Sequence, residues 1–193
     1  MTGCSIGTSS GSGTEVSAAP FPARNTKDEG PLRAPGSTSG PNLRVVTVWN
    51  HVGHHVADLD RSIRFYEGVF GFVELTRLEI PDAVASTLLR VSEPVGLTAV
   101  YLGLGGAVLE LLHLDRPDND RPRERPFTEP GLTHVSFTVD DVAATCASVR
   151  DHGGEVLEDT DMGGFAILVR DPDGQVLELL PPGALPRIVA DRA

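Results

Sequence analysis

From residue 44 to residue 56, β-branched and polar residues alternate with period two, which predicts a strand with one dry and one wet face. The period then changes. Leu59, Ile63, Tyr66 and Phe70 fall on one face of a helix, with Asp58 placed to cap its first turn and Gly71 to close its last. Alternation returns over 72–80. Residues 81–91 predict a short helix on a connection, and 97–102 with 107–114 predict a hairpin turning at Gly103-Leu104-Gly105-Gly106. A polar stretch rich in Asp, Arg and Pro follows, and a similar order returns. It runs through a strand over 133–139 and a helix capped by Asp140 or Asp141, with Val142, Cys146 and Val149 on one face. Gly153-Gly154 ends that helix, a short strand fits 155–157, and 164–170 with 175–180 form a hairpin around Asp171-Pro172-Asp173-Gly174.

This return is an internal repeat. At an offset of 83 residues His134-Val135 falls on His51-Val52, Val139 on Val56, Asp141 on Asp58 and Gly154 on Gly71. At a smaller offset of 68, Gly174-Gln175-Val176-Leu177-Glu178-Leu179-Leu180 falls on Gly106-Ala107-Val108-Leu109-Glu110-Leu111-Leu112, identical at six of seven positions. The offset shrinks because the first copy has the longer middle, around Pro81 to Pro94. Agreement of both segments in the same order argues for duplicated structural units. The expected fold is α+β, two βαβββ modules forming a curved mixed sheet around a cleft.

Composition narrows the setting. Residues 1–44, rich in Gly, Ser and Pro, read as a disordered leader, because they cannot bury enough apolar surface to offset their conformational entropy. The folded domain is expected over 45–182, with module 1 at 45–115, a linker at 116–131, module 2 at 132–182, and a tail at 183–193. A formal net charge of −11 disfavours nucleic acid and anionic membranes as partners. No apolar run is long enough to span a bilayer, and the first residues lack the basic stretch and apolar core of a secretion signal. Cys4 and Cys146 stand in unlike contexts and suggest no disulfide framework, so a reducing cytoplasm is the natural compartment.

The candidate chemistry lies in the repeat. Each copy places one His at the start of its first strand and one Glu in its last. Side chains alternate across a strand, so His51, Gly53 and His55 share a face, as do Glu110 and Leu112, His134 and Ser136, and Glu178 and Leu180. Val52, Val56, Leu109, Leu111, Val135, Phe137, Leu177 and Leu179 form the other, apolar face, which should pack under the helices. Taken singly, Glu110 reads as a carboxylate on the wet face of a sheet and His51 as a hydrogen-bonded strand histidine. Recurrence at equivalent positions weakens both readings, because a carboxylate among Val and Leu must be paired or bound to a cation. Two facing units would bring His51, Glu110, His134 and Glu178 to one divalent ion. That donor set suits Ni, Zn, Co, Mn or Fe and holds no thiolate for a soft metal. His55, Leu112 and Ser136 lie on the same faces and are the candidate substrate-binding residues. His54 and His113 should point to the opposite face and read as structural.

The chain also resembles the vicinal-oxygen-chelate superfamily of glyoxalase I, methylmalonyl-CoA epimerase, extradiol dioxygenases and bleomycin- and fosfomycin-resistance proteins. The residues that carry this resemblance are His51-Val52-Gly53, Asp58 to Tyr66, Phe70-Gly71-Phe72, Leu109-Glu110-Leu111, His134 to Phe137, and Asp171-Pro172-Asp173-Gly174 with Glu178-Leu179. The His, Glu, His, Glu order looks like bacterial glyoxalase I. It implies a metal-dependent lyase or isomerase, of the lactoylglutathione lyase type, acting through a metal-bound enediolate on a hydroxy-carbonyl or thiohemiacetal. By resemblance Glu178 is the proton-moving base and Glu110 its counterpart, in a homodimer. His55 stands where that family has an Arg and Leu114 where it has an Asn, which opens the substrate to another thiol, a CoA ester or a hydroxy-ketone. The alternatives are an Fe(II) extradiol-type dioxygenase using His51, His134 and Glu178, a methylmalonyl-CoA epimerase-like enzyme, and a non-enzymatic drug-binding resistance protein.

Overall fold

Each βαβββ unit folds into its own four-stranded sheet in the structure, a computed structural model that describes residues 48–117 and 126–184. The expected leader (1–44), the start of the first expected strand, part of the linker and most of the tail lie outside the described residues. The first unit comprises β1 (Val52–His55), α1 (Leu59–Phe70), β2 (Val73–Ile80), α2 (Asp82–Leu89), β3 (Leu97–Leu104) and β4 (Ala107–Leu114), in sheet order β1-β4-β3-β2. The second comprises β5 (Val135–Thr138), α3 (Val142–Asp151), β6 (Glu155–Leu157), β7 (Ile167–Arg170) and β8 (Val176–Leu180), in order β5-β8-β7-β6. In both sheets the first strand lies parallel to the last, and the other pairings are antiparallel. The inserted α2 and the longer β2 and β3 account for the shrinking repeat offset.

The helix signals act as their positions predict. Asp58 and Asp141 accept hydrogen bonds from the backbone N–H three residues on, and Gly71 closes α1 in the left-handed conformation at φ 75°. The first strand is shorter than the alternation suggests. Only Val52–His55 pair with β4, through Leu109–Leu112, and upstream of them β4 has just two residues left before its turn. No helix among the described residues is long and apolar enough to cross a membrane.

The apolar sheet faces and the helices share one core. Leu109, Leu111, Leu177 and Leu179 are buried beneath α1 and α3, as the alternation requires. The buried face of α1 is wider than its apolar stripe, because Ser62 and Phe65 are fully buried beside Leu59, Ile63 and Tyr66. The reason is that α1 faces the second unit as well as its own sheet. A side chain at Gly154 would collide with Phe65 Cε2 at 2.8 Å and with the Arg170 carbonyl at 2.5 Å, so only glycine lets the two units close here. Phe70 and Phe137 stack across the same boundary with centroids 4.1 Å apart.

The Asp171-Pro172-Asp173-Gly174 turn does more than reverse the chain. It inserts two buried carboxylates into the first unit. Asp171 accepts hydrogen bonds from Tyr66 Oη–H at 2.8 Å and from the backbone N–H groups of Asp173 and Gln175, and its Oδ2 lies 2.8 Å from His54 Nε2. Asp173 accepts from Arg61 at 2.6 Å, from Ser62 Oγ–H at 2.8 Å and from the Ala57 N–H at 3.0 Å. Burial acts to raise the Asp171 carboxyl, but the hydrogen bond and charge of His54, with Tyr66 and the Gln175 N–H, outweigh it and hold Asp171 below the usual carboxylate range. Burial and then the Asp171 charge push the Tyr66 phenol well up, so Tyr66 remains a donor. His54 is thus structural, as its parity in the strand predicts.

Removing the Asp173 carboxylate leaves Arg61, Ser62 and the Ala57 N–H without their acceptor. Asp173→Ala should therefore lose about 3 kcal/mol in urea unfolding, against about 1 kcal/mol for Ser62→Ala. Because the folded Asp171 value lies below that of the unfolded chain, its contribution is complete above about pH 4 and fades as the pH falls further. The stability gap between wild type and Asp171→Asn should accordingly be smaller at pH 3 than at pH 7. An equal gap at both would show that the Asp171 charge stabilises nothing.

Candidate functional site

The parallel pairing of first and last strand in each unit sets the candidate residues side by side. In the first unit Gly53 registers with Glu110, and His51, one residue before β1, brings Nε2 to 3.1 Å from Glu110 Oε2. In the second, Ser136 registers with Glu178, and His134, one residue before β5, brings Nε2 to 3.6 Å from Glu178 Oε2. The His and Glu of each repeat therefore meet. The two pairs do not come together, and among the described residues no group of three or more His, Cys, Asp and Glu is placed to hold a metal ion. The repeat left open whether the four residues meet within one chain or across two; within one chain they form two His–Glu pairs, one on each sheet.

The surroundings of each pair decide what it can bind. Asn50 Oδ1 lies 2.6 Å from His51 Nδ1, which leaves Nε2 to face the Glu110 carboxylate. An imidazole nitrogen and a carboxylate oxygen at this distance can share a cation, either a proton or a metal ion. In the second unit Thr133 Oγ1 lies 2.9 Å from His134 Nδ1, so the same edge of the ring is engaged and Nε2 again faces the carboxylate. The donor set of each pair, imidazole plus carboxylate with a partner behind the imidazole, fits a first-row divalent ion. Neither pair is fully enclosed: the side chains of His51 and Glu110 are 33% and 12% exposed, and those of His134 and Glu178 are 35% and 24% exposed.

The repeats differ in what holds each glutamate. Glu178 accepts a hydrogen bond from Ser136 Oγ–H at 2.7 Å. The residue equivalent to Ser136 is Gly53, where a side chain would already stand 3.4 Å from Glu110 Oε2. On β3, Tyr101 is the cross-strand partner of Glu110, so the two side chains share a face of the sheet. The Tyr101 ring lies edge-on to His51 with centroids 5.4 Å apart. Burial first, then a hydrogen bond to Glu110 and its charge, raise the Tyr101 phenol to about 12.

Tyr101 and Asn50 were not legible as site residues from the His–Glu pattern. The signal for Tyr101 was present, since a tight turn at Gly105-Gly106 pairs Leu104 with Ala107 and so Tyr101 with Glu110. Of the expected substrate-binding residues, Ser136 is exposed and engages Glu178, and His55 is exposed on β1. Leu112 is half-buried against the small cluster of Ala85, Val95 and Leu97. His113 points away from Glu110, with Nδ1 3.2 Å from the Val56 carbonyl.

The chain is similar to several known proteins. The profile of the Glyoxalase/Bleomycin resistance protein/Dioxygenase superfamily matches residues 49–179. The lactoylglutathione lyase of Haemophilus influenzae is 33% identical over 141 residues, 67% of this chain and 89% of that protein. A probable lactoylglutathione lyase of Synechocystis is 28% identical over 141 residues, 67% of this chain and 92% of that protein. Plant relatives are longer, and the chain spans 44% of lactoylglutathione lyase GLX1 of Arabidopsis thaliana, at 30% identity over 70% of this chain. Among solved structures, the trypanothione-dependent glyoxalase I of Leishmania major matches with a TM-score of 0.51 at 29% identity, over 68% of this chain and 84% of that one. A glyoxalase family protein of Bacillus cereus matches with a TM-score of 0.58 at 18% identity, over 74% of this chain and 98% of that one, a likeness of fold.

Proposed function

This chain belongs to the Glyoxalase/Bleomycin resistance protein/Dioxygenase superfamily, and on that premise we propose that it is a glyoxalase I-like lyase that acts on a thiohemiacetal or a related small hydroxy-carbonyl compound. The observation that carries the reading is the recurrence of one His–Glu contact at equivalent places in the two repeats, 3.1 Å in one and 3.6 Å in the other. Its relatives named lactoylglutathione lyase support the reaction class.

His51, Glu110, His134 and Glu178 would together hold one divalent ion, of Ni, Zn, Co, Mn or Fe. Such an ion supplies positive charge that acidifies the C–H beside a bound carbonyl and stabilises the negative charge left when the proton departs. Glu178 is the more exposed of the two carboxylates. It is the base that takes the proton from one carbon and returns it to the next, with Ser136 orienting it. Glu110, paired with His51, is the fixed counterpart. His55, Leu112 and Ser136 border the substrate.

The complete site forms between two copies of the chain, in a cytoplasmic homodimer. Each copy contributes its first pair to one site and its second pair to the other. Two observations support this arrangement. Within one chain the pairs stand apart among the described residues. Both are also flanked by exposed apolar residues that a partner would cover: Val48 and Trp49 precede His51, Phe127 lies against His134, and Leu132 and Val135 are its neighbours in sequence.

Mixing two inactive variants tests site and assembly together. Glu110→Gln and Glu178→Gln should each lose metal and activity by elemental analysis and methylglyoxal–thiol assay. Subunit exchange between them should restore about a quarter of wild-type activity, since a mixed dimer rebuilds one intact site of two. No restoration would place the whole site within one chain. A wild type that takes up no metal under any loading would overturn the lyase reading itself.

A further inference from the structure

Each glutamate has a hydroxyl-bearing residue in register beside it, on opposite flanks in the two repeats. Glu178 takes a hydroxyl from Ser136 on its parallel neighbour β5. On the antiparallel side of Glu178 stands Leu168, which has no hydroxyl to offer. In the first unit the arrangement is reversed. The parallel neighbour is Gly53, which has no hydroxyl to offer. The antiparallel neighbour offers Tyr101. A hydroxyl beside each carboxylate, supplied from opposite flanks, is not something the duplicated backbone dictates.

We infer that Tyr101 is a positioning residue for the first half of the metal site: its hydroxyl aims the Glu110 carboxylate, and its ring edge sets the plane of His51. The inference rests on the reading of Glu110 and His51 as metal ligands. A phenol in this place fixes both ligands of one half-site at once. In the other half Ser136 holds only the glutamate, and His134 is met by Thr133. Outer partners of this kind orient ligands and change metal affinity without touching the ion.

The test uses Tyr101→Phe, which removes one oxygen and keeps the ring on His51. Full-length wild type, Tyr101→Phe and Glu110→Gln are stripped of metal and titrated with Co(II) in competition with a chelator. The visible absorption of the bound Co(II) is recorded, and the metal-free proteins are melted. Tyr101→Phe should weaken Co(II) binding on the order of tenfold and shift the Co(II) bands, with an unchanged melting temperature. Wild-type affinity and spectrum in Tyr101→Phe, beside a loss in Glu110→Gln, would overturn the role of Tyr101 alone. Wild-type affinity in Glu110→Gln would overturn Glu110 as a ligand and the inference with it. A fall in melting temperature matching the loss of affinity would make Tyr101 a folding residue and overturn the inference as well.

Discussion

Two buried carboxylates on one turn hold this molecule together. Among the described residues the two sheets share no strand pairing, so nothing in their backbone ladders sets one unit against the other. Asp171 and Asp173 supply that relation by entering the first unit and meeting His54, Tyr66, Arg61, Ser62 and the Ala57 N–H. Buried charge is tolerated only when it is fully hydrogen-bonded. The direction of that constraint matters: the turn has few other places where both carboxylates could be satisfied. It therefore specifies the docking as well as contributing to it.

The latch is also where the duplication has diverged. The residues of the second unit equivalent to His54, Arg61 and Tyr66 are Phe137, Ala144 and Val149, and the turn equivalent to Asp171–Gly174 is Gly103–Gly106. One side of the boundary is polar and directional. The other is apolar, with Phe137 stacked on Phe70 and Val149 buried in the common core. Charge on one flank sets geometry, and packing on the other supplies burial. Two identical polar flanks would have doubled the desolvation cost, and two apolar flanks would have left the docking angle loosely determined.

The latch bears on the candidate site because His54 and Asp171 belong to its supporting strands. His54 lies in β1, three residues beyond His51, and Asp171 leads through its turn into β8, which carries Glu178. The same face-to-face alternation that buries His54 against Asp171 turns Gly53 and Glu110 to the opposite side of the sheet. The wet face then diverges in its turn, with Tyr101 across the ladder from one glutamate and Ser136 hydrogen-bonded to the other. Structural and chemical residues thus alternate along the same strands.

The sequence by itself determined the elements and their order: the period switches, Asp58 and Asp141 as caps, Gly71 as a helix stop, and the repeat that gives each unit one His in its first strand and one Glu in its last. These follow from interactions between near neighbours and from strand parity, which short stretches of sequence encode. Asp58 to Tyr66 and the Asp171–Gly174 turn carried the family resemblance without saying what joins them. Only the tertiary structure showed that they are one latch, between residues 105 to 117 positions apart. Only the tertiary structure decided that α1 buries Ser62 and Phe65, and that the two His–Glu pairs stand apart within one chain. Contacts of that range leave no periodic trace, because each partner is chosen by what the other unit presents and not by its own neighbours along the chain.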